Sequence, residues 1–193
     1  MFRIVLCIAL LLAAAVAFET YGLSKSRSGQ DLIAAGKRRK FFLDIYTVGL
    51  YTNDASATSK GASIKKAKDL DKLAEISTLF GPGLTFVLKF DRAVGTEQMV
   101  SSFSDALSGV KDKNAVEAFK DVLKKAVGDK GLKLQDELAF AYSGDRVDVS
   151  LNSKNVGSVT SKELKTKLAN VYVGPSSVSP ELHEVLKKRF VKK

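Results

Sequence analysis

Two apolar runs, Leu132 to Tyr142 and Val147 to Leu151, are separated only by Ser143-Gly144-Asp145. A turn this short joins antiparallel neighbours, because a parallel return needs a crossover of a dozen or more residues. Val147, Val149 and Leu151 alternate with polar residues, so this hairpin buries one face and leaves the other for a second layer or for solvent. A third short strand around Val156 extends the meander. The chain is therefore committed to an antiparallel sheet, and the remaining segments must supply its other strands and its cover.

Upstream, Leu32 to Tyr51 reads as β structure. Phe41, Phe42, Ile45, Tyr46, Thr47, Val48 and Tyr51 are strand formers, and Gly36 and Gly49 mark bends or bulges. Asn53 to Gly61 reads as a loop and Ile64 to Leu73 as a short helix. Gly81-Pro82-Gly83 is a turn, followed by a strand over Leu84 to Phe90. Thr96 is placed to cap a helix whose Met99, Val100, Phe103, Leu107 and Val110 share one face. Val116, Phe119, Leu123, Ala126 and Val127 repeat that spacing in a second helix, which Gly128 to Gly131 ends. For these ten residues, periodicity points first to core packing.

Thr160 with Glu163 forms a capping-box pattern before a helix lined by Leu164, Leu168, Val171 and Tyr172, which Gly174-Pro175 closes. Ser179-Pro180-Glu181 opens a last helix, lined by Leu182, Val185, Leu186 and Phe190. The order of strands, helices, strands and helices predicts an α+β domain, not an α/β one. No βαβ alternation, P-loop, dinucleotide fingerprint or internal repeat is visible.

The N-terminus stands apart. Arg3 precedes an unbroken apolar run from Ile4 to Val16, and Ala15-Val16-Ala17 offers small residues to a signal peptidase. Residues 1–17 read as a secretory signal peptide, residues 18–30 as a lead-in loop, and residues 31–193 as the domain. The apolar run falls short of the roughly 20 residues of a membrane span, although an uncleaved anchor is the other reading, and no stable span is expected after cleavage. Export is the expected destination. Phe18 and the basic, serine-rich stretch after it also resemble the bipartite plastid leaders of some algae.

Within the 193 residues the only cysteine, Cys7, lies in that leader, and the only histidine is His183. The mature domain is thus expected to lack disulfides and metal sites of the usual zinc kinds, and no cofactor is indicated. His183 lies in a charged segment and reads as a solvated surface side chain. The net charge of +10 suits anionic partners. Its densest runs, Lys37-Arg38-Arg39-Lys40 and Lys187-Lys188-Arg189, do not interleave with stacking aromatics, so nucleic acid is not the expected partner. The second run reads as a solvated helix end, where cations suit the helix dipole.

Gly36-Lys37-Arg38-Arg39-Lys40 running into Tyr46-Thr47-Val48-Gly49-Leu50-Tyr51 resembles the G-x-R-x-K…Y-x-x-G-L-Y segment of the chalcone isomerase family. Leu84 to Leu107 resembles the strand and helix that follow in that family. Val171-Tyr172-Val173-Gly174 and Val178-Ser179-Pro180-Glu181-Leu182 resemble its C-terminal signature. The ordered set covers about residues 30–190. It implies an open-faced sandwich, a large antiparallel sheet against a layer of helices with a ligand cleft between them. It also implies one of two functions: an intramolecular lyase that closes chalcones to flavanones, or a non-catalytic relative such as a fatty-acid-binding protein.

Carried over by position, the resemblance assigns the enzyme's arginine to Arg38 and its strand threonine to Tyr46. Its tyrosine falls near Thr96, its asparagine near Phe103 and its late hydroxyl near Val171. Phe103 and Val171 donate no side-chain hydrogen bond. The pair that survives, arginine plus tyrosine, resembles the fatty-acid-binding branch. A guanidinium forks onto a carboxylate and a phenol adds one donor. The expected ligand is a fatty acid or similar lipophilic carboxylate, with Arg38 and Tyr46 at its polar end. Met99, Phe103 and Val171 would line the tail, with Thr96 nearby.

Two alternatives stay open. Several polar side chains converging beside Arg38 would mark the lyase, and a filled core without a cleft would mark a basic structural or interaction protein. Geometry is the difficulty. On one straight strand the eight-residue separation of Arg38 and Tyr46 spans roughly 26 Å, and Arg39 to Ile45 holds no glycine or proline to turn the chain. Whether Arg38 or Arg39 faces inward depends on a one-residue register.

Overall fold

Tight turns decide the sheet. The computed structural model describes residues 19–53 and 83–190, the last of these by its backbone alone. The expected leader, the helix over Ile64–Leu73 and the Gly81-Pro82 part of the expected turn lie outside the described residues. Seven strands pair strictly in chain order, all antiparallel: β1 (Ser26–Arg27), β2 (Gln30–Lys40), β3 (Leu43–Thr52), β4 (Leu84–Phe90), β5 (Glu137–Ser143), β6 (Arg146–Leu151) and β7 (Lys154–Thr160). Four of the links are two-residue turns. Ser28-Gly29 and Asn152-Ser153 have positive φ at both positions, which matches the right-handed twist of paired strands. Gly144, before Asp145, has φ 57 at the first position only.

The fourth tight turn was hidden. The expected single run from Leu32 to Tyr51 is two strands, and the chain reverses at Phe41-Phe42. Phe41 takes φ 56, the same pattern as Gly144 but with a bulky side chain. A non-glycine residue in such a region costs of order 1–3 kcal/mol. Paired strands on both sides hold it there.

Helices cover one face of the sheet: α1 (Thr96–Ala106), α2 (Lys113–Val127), α3 (Lys162–Val173) and α4 (Pro180–Phe190). Leu84, Phe86, Leu88 and Phe90 of β4 and Leu138, Phe140 and Tyr142 of β5 point into this layer. They meet Phe103, Phe119, Leu123, Leu168, Tyr172, Leu182 and Leu186. Each such side chain stabilises the fold by about 1.5–3 kcal/mol on burial, more than any exposed ion pair.

The opposite face has a small core of its own, with Leu23, Leu32, Ala35, Tyr51, Val87 and Ala139 packed beside Tyr21. The lead-in segment is therefore structured. Leu23 is buried, Tyr51 donates its hydroxyl to the Ser24 carbonyl at 2.8 Å, and β1 pairs with β2.

Several local expectations shift. Gly95, not Thr96, caps α1 and offers no side-chain cap; the Thr96 hydroxyl donates instead to the Gly128 carbonyl. The α3 cap is Ser161, which accepts from Leu164 N at 3.4 Å. Glu163 does not complete a capping box with Thr160. Its carboxylate accepts from Lys111 N (2.9 Å) and Asp112 N (3.2 Å), tying α3 to the start of α2. Ser179 caps α4 as expected, accepting from Leu182 N at 3.4 Å.

The two glycines expected to mark bends sit in regular pairings, and the irregularities fall at Leu32/Ala34 and Arg38/Arg39. His183 is not solvated. It is 7% exposed, with Nδ1 3.1 Å from the Val173 carbonyl. Of its charged neighbours Glu184 and Lys188 are exposed, while Leu182, His183 and Leu186 share the inner side of α4. Among the described residues no helix is long and apolar enough to cross a membrane.

Candidate functional site

The reversal at Phe41-Phe42 removes the separation of Arg38 from Tyr46. They are cross-strand partners in the β2–β3 ladder, so their side chains leave the sheet together on the same face. A bulge directly follows, where the register shifts between Arg38 and Arg39 and leaves Ile45 as the extra residue. Bulges re-aim side chains beside functional sites. Here Lys37, Arg38 and Arg39 meet three different environments.

Lys37 lies on the far face, ion-paired with Asp44, 3.9 Å from Asp91 and 5.7 Å from the centre of the Tyr21 ring. Arg39 is half exposed and clamped by Asp44 (2.8 Å) and Glu181. Arg38 turns to the helix side, where it donates to the Val178 carbonyl at 3.3 Å. Among the described residues no carboxylate pairs with Arg38. It is the inward-facing arginine of the two.

Gly36 fixes the depth of this corner. It pairs with Val48, and a Cβ added there would lie 2.2 Å from Leu182 N. The start of α4 therefore rests on bare backbone. That contact lets Glu181 accept from Lys37 N at 3.0 Å and brings Val178 to Arg38. Burial raises the Glu181 carboxyl, but the Lys37 N–H, the Tyr21 hydroxyl and the Arg39 guanidinium outweigh it and hold it below its ordinary value.

Arg38 and Tyr46 open onto a cleft of about 120 Å³ between the sheet and α1, α3 and the segment before α4. That is many times the roughly 10–15 Å³ one water needs. Its walls are chiefly apolar: Ile45, Phe90, Val94, Met99, Phe103, Ala106, Val171 and Val178. Tyr46 packs against Phe90 at 5.4 Å between ring centres, and Phe103 against Phe140 at 5.4 Å. Past Ala106, Val171 and Val178 the cleft adjoins a more open depression of about 440 Å³ that reaches Lys167 and Asn170 on α3.

Five of the six residues singled out from sequence, Arg38, Tyr46, Met99, Phe103 and Val171, line one cleft. Thr96 is not among the lining residues; its hydroxyl is spent on the loop after α2. Sequence reasoning missed Tyr172, Gln98, Ser102 and Val178. Tyr172 had a usable signal, since a tyrosine on an otherwise apolar helix face must place a hydroxyl somewhere in the core. That hydroxyl is fully buried and, like that of Tyr142, makes no hydrogen bond of normal geometry among the described residues. It nonetheless lies near enough to Tyr46 for each phenol to influence the other's proton.

Burial pushes Tyr46 up to about 12, against the opposing pull of the Arg38 cation and the Tyr172 hydroxyl. Tyr172 is raised well above the ordinary tyrosine value, by burial first and then by its neighbouring phenols. Both phenols stay protonated near neutral pH, so they act as donors and not as bases. The corner offers one guanidinium and two phenols to a single oxygen-bearing group, with an apolar trough beyond. Among the described residues no cluster of histidine and acidic side chains is placed to hold a metal ion.

Comparison with known proteins bears on the family and the fold. The family model described as chalcone isomerase-like matches residues 26–187. No curated protein matches the sequence. Among solved structures, a fatty-acid binding protein of Arabidopsis thaliana superposes with a TM-score of 0.67 at 15% identity, covering 86% of this chain and 93% of that one. At that identity the likeness establishes the fold alone.

Proposed function

The chain belongs to the chalcone isomerase-like family, and from that premise we propose that it is a non-catalytic binder of a fatty acid or a similar lipophilic carboxylate. The carboxylate lies between Arg38 and Tyr46, and the acyl chain lies in the apolar cleft. One observation carries this reading: Arg38 faces an apolar cavity with no acidic partner among the described residues, while Lys37 and Arg39 are both paired. A cation so placed is poised for an anion from outside the protein. The Tyr172 hydroxyl, buried beside the same corner, supports it with a further donor.

The likeness to a fatty-acid binding protein supports the same class of ligand. A hydrogen bond to a charged group contributes about 1.5–3 kcal/mol, and each buried methylene about 0.8 kcal/mol. The chain would supply most of the affinity and Arg38 the orientation. The cavity is smaller than the roughly 300 Å³ at which drug-sized pockets begin. A long chain would therefore continue past Ala106 and Val171 into the adjoining depression between α1 and α3. Phe103 and Val171, where the enzymes are thought to place hydrogen-bonding side chains, give the lyase alternative no donors. Export through the secretory route, expected from residues 1–17, belongs to the same proposal.

Native mass spectrometry of the full chain with added fatty acids tests it. The parent and Arg39→Ala proteins are expected to carry one fatty acid, and Arg38→Ala to lose it at equal concentration. A protein that stays empty, or an Arg38→Ala variant that binds as well as the parent, overturns the assignment.

A further inference from the structure

Four large apolar side chains are exposed among the described residues: Phe41 (88%), Phe42 (89%), Leu43 (42%) and Leu134 (60%). Single exposed apolar residues are ordinary, but these are gathered. Phe41 and Phe42 are the tip of the β2–β3 hairpin, Leu43 adjoins it, and Leu134 sits in the turn before β5. The pairings bring that turn to the same end of the sheet. Tyr46 is opposite Phe90, and the Phe90 carbonyl accepts from Gln135 N at 2.8 Å.

The same end carries exposed cations. Lys40, Arg92 and Lys133 are all exposed, and none is in an ion pair among the described residues. The nearby acids are already engaged. Asp44 serves Lys37 and Arg39, Asp91 lies by Lys37 and accepts from Thr47, and Asp136 accepts from Lys133 N and Asn152 Nδ2. The backbone adds an independent observation. Phe41 holds a left-handed φ in a turn position that glycine occupies without strain. A phenylalanine there is unfavourable for folding and gains nothing from burial.

We propose that this end of the sheet docks onto an anionic lipid surface. Phe41 and Phe42 enter the acyl region, Leu134 follows at the boundary, and Lys40, Arg92 and Lys133 meet the phosphate headgroups. Apolar insertion combined with attraction of basic residues to anionic lipid is the general physics of peripheral membrane binding. A protruding two-residue tip is small for a stable protein interface, which takes about 800 Å² on each side. Lys40 also lines the cleft, so a docked protein would hold the cleft mouth at the bilayer. The docking stands whether or not the cleft takes a fatty acid.

The chain contains no tryptophan, so Phe42→Trp in the full chain places a single reporter at the tip. Its emission is expected to shift to the blue, and to be quenched by lipids brominated on their acyl chains, with vesicles of equal phosphatidylcholine and phosphatidylglycerol. Phosphatidylcholine alone should give at least about fivefold weaker partition. In the Phe42→Trp background, Phe41→Gly and the pair Arg92→Glu with Lys133→Glu should each weaken partition by about fivefold or more. Phe41→Gly should melt no lower than its parent, which shows an intact fold. A reporter that stays solvent-exposed overturns the proposal, whether or not the chain sediments with vesicles. So does self-association that Phe41→Gly disperses, which would seat the tip on a second copy.

Discussion

The two faces of the β2–β3 hairpin carry the same kinds of side chain and treat them in opposite ways. On the outer side Lys37 and Arg39 are closed into a network with Asp44, Asp91 and Glu181. On the inner side Arg38 meets one backbone carbonyl and an apolar cleft. Four adjacent basic residues look alike in the sequence, yet pleating and one bulge give them different surroundings. Acidic partners on neighbouring elements engage Lys37 and Arg39, whereas among the described residues Arg38 has none. The outer network is architectural, because Glu181 joins the start of α4 to β2. Among the described residues the inner arginine has no acidic partner, and the proposed function rests on it.

Gly36→Ala should have the largest effect, because it disturbs both faces at once. Its Cβ would meet backbone, not a movable side chain, so α4 must shift. A loss of about 3 kcal/mol is expected, at the upper end for overpacking, read as a lowered midpoint in chemical denaturation. A midpoint within error of the parent would mean that α4 is not seated on Gly36.

Tyr46→Phe should act on the inner face alone. Loss of one donor to a charged group predicts roughly tenfold weaker fatty-acid binding, with little change in melting temperature, measured by displacement of a fluorescent fatty acid. Unchanged affinity would leave Arg38 as the only anchor.

The smallest effect concerns the outer face and pH. Asp44 and Glu181 both have lowered folded-state values, Asp44 through Lys37 and Arg39. Their contribution is therefore full above the unfolded values near 4 and is lost as pH falls through the lower folded ones. Glu181→Gln should flatten part of the acid limb of a stability profile while leaving fatty-acid binding at neutral pH unchanged. An acid limb identical to the parent's would show that the network contributes nothing there.

Much of the fold was legible because it rests on periodicity. The helical faces of α1 and α2, the β5–β6 turn and the Ser179-Pro180 start all follow from local patterns. The Phe41-Phe42 turn did not, because no glycine, proline or asparagine announces it and two aromatic residues look like strand interior. That turn makes Arg38 and Tyr46 cross-strand partners and brings them to one cleft, whereas a single straight strand would hold them far apart. His183 was misread because segment charge describes the outer side of a helix and not the inner. The caps of α1 and α3 lay one residue from their expected places, since several adjacent hydroxyl-bearing or small residues satisfy the same rule.

The strand order has a consequence for how the chain reaches this state. Among the described residues every strand neighbours the one before it, so β1–β2–β3 and β5–β6–β7 can each zip from tight turns with low closure entropy. Among the described strands β4 alone must wait for distant partners on both sides, and it contributes Phe86 and Phe90 to the core. Two local meanders would form quickly and β4 would join them late, so the unfolding barrier should be most sensitive to substitutions in β4. The cleft, which borrows Phe90 from that strand, would then be among the last features to form and the first to open.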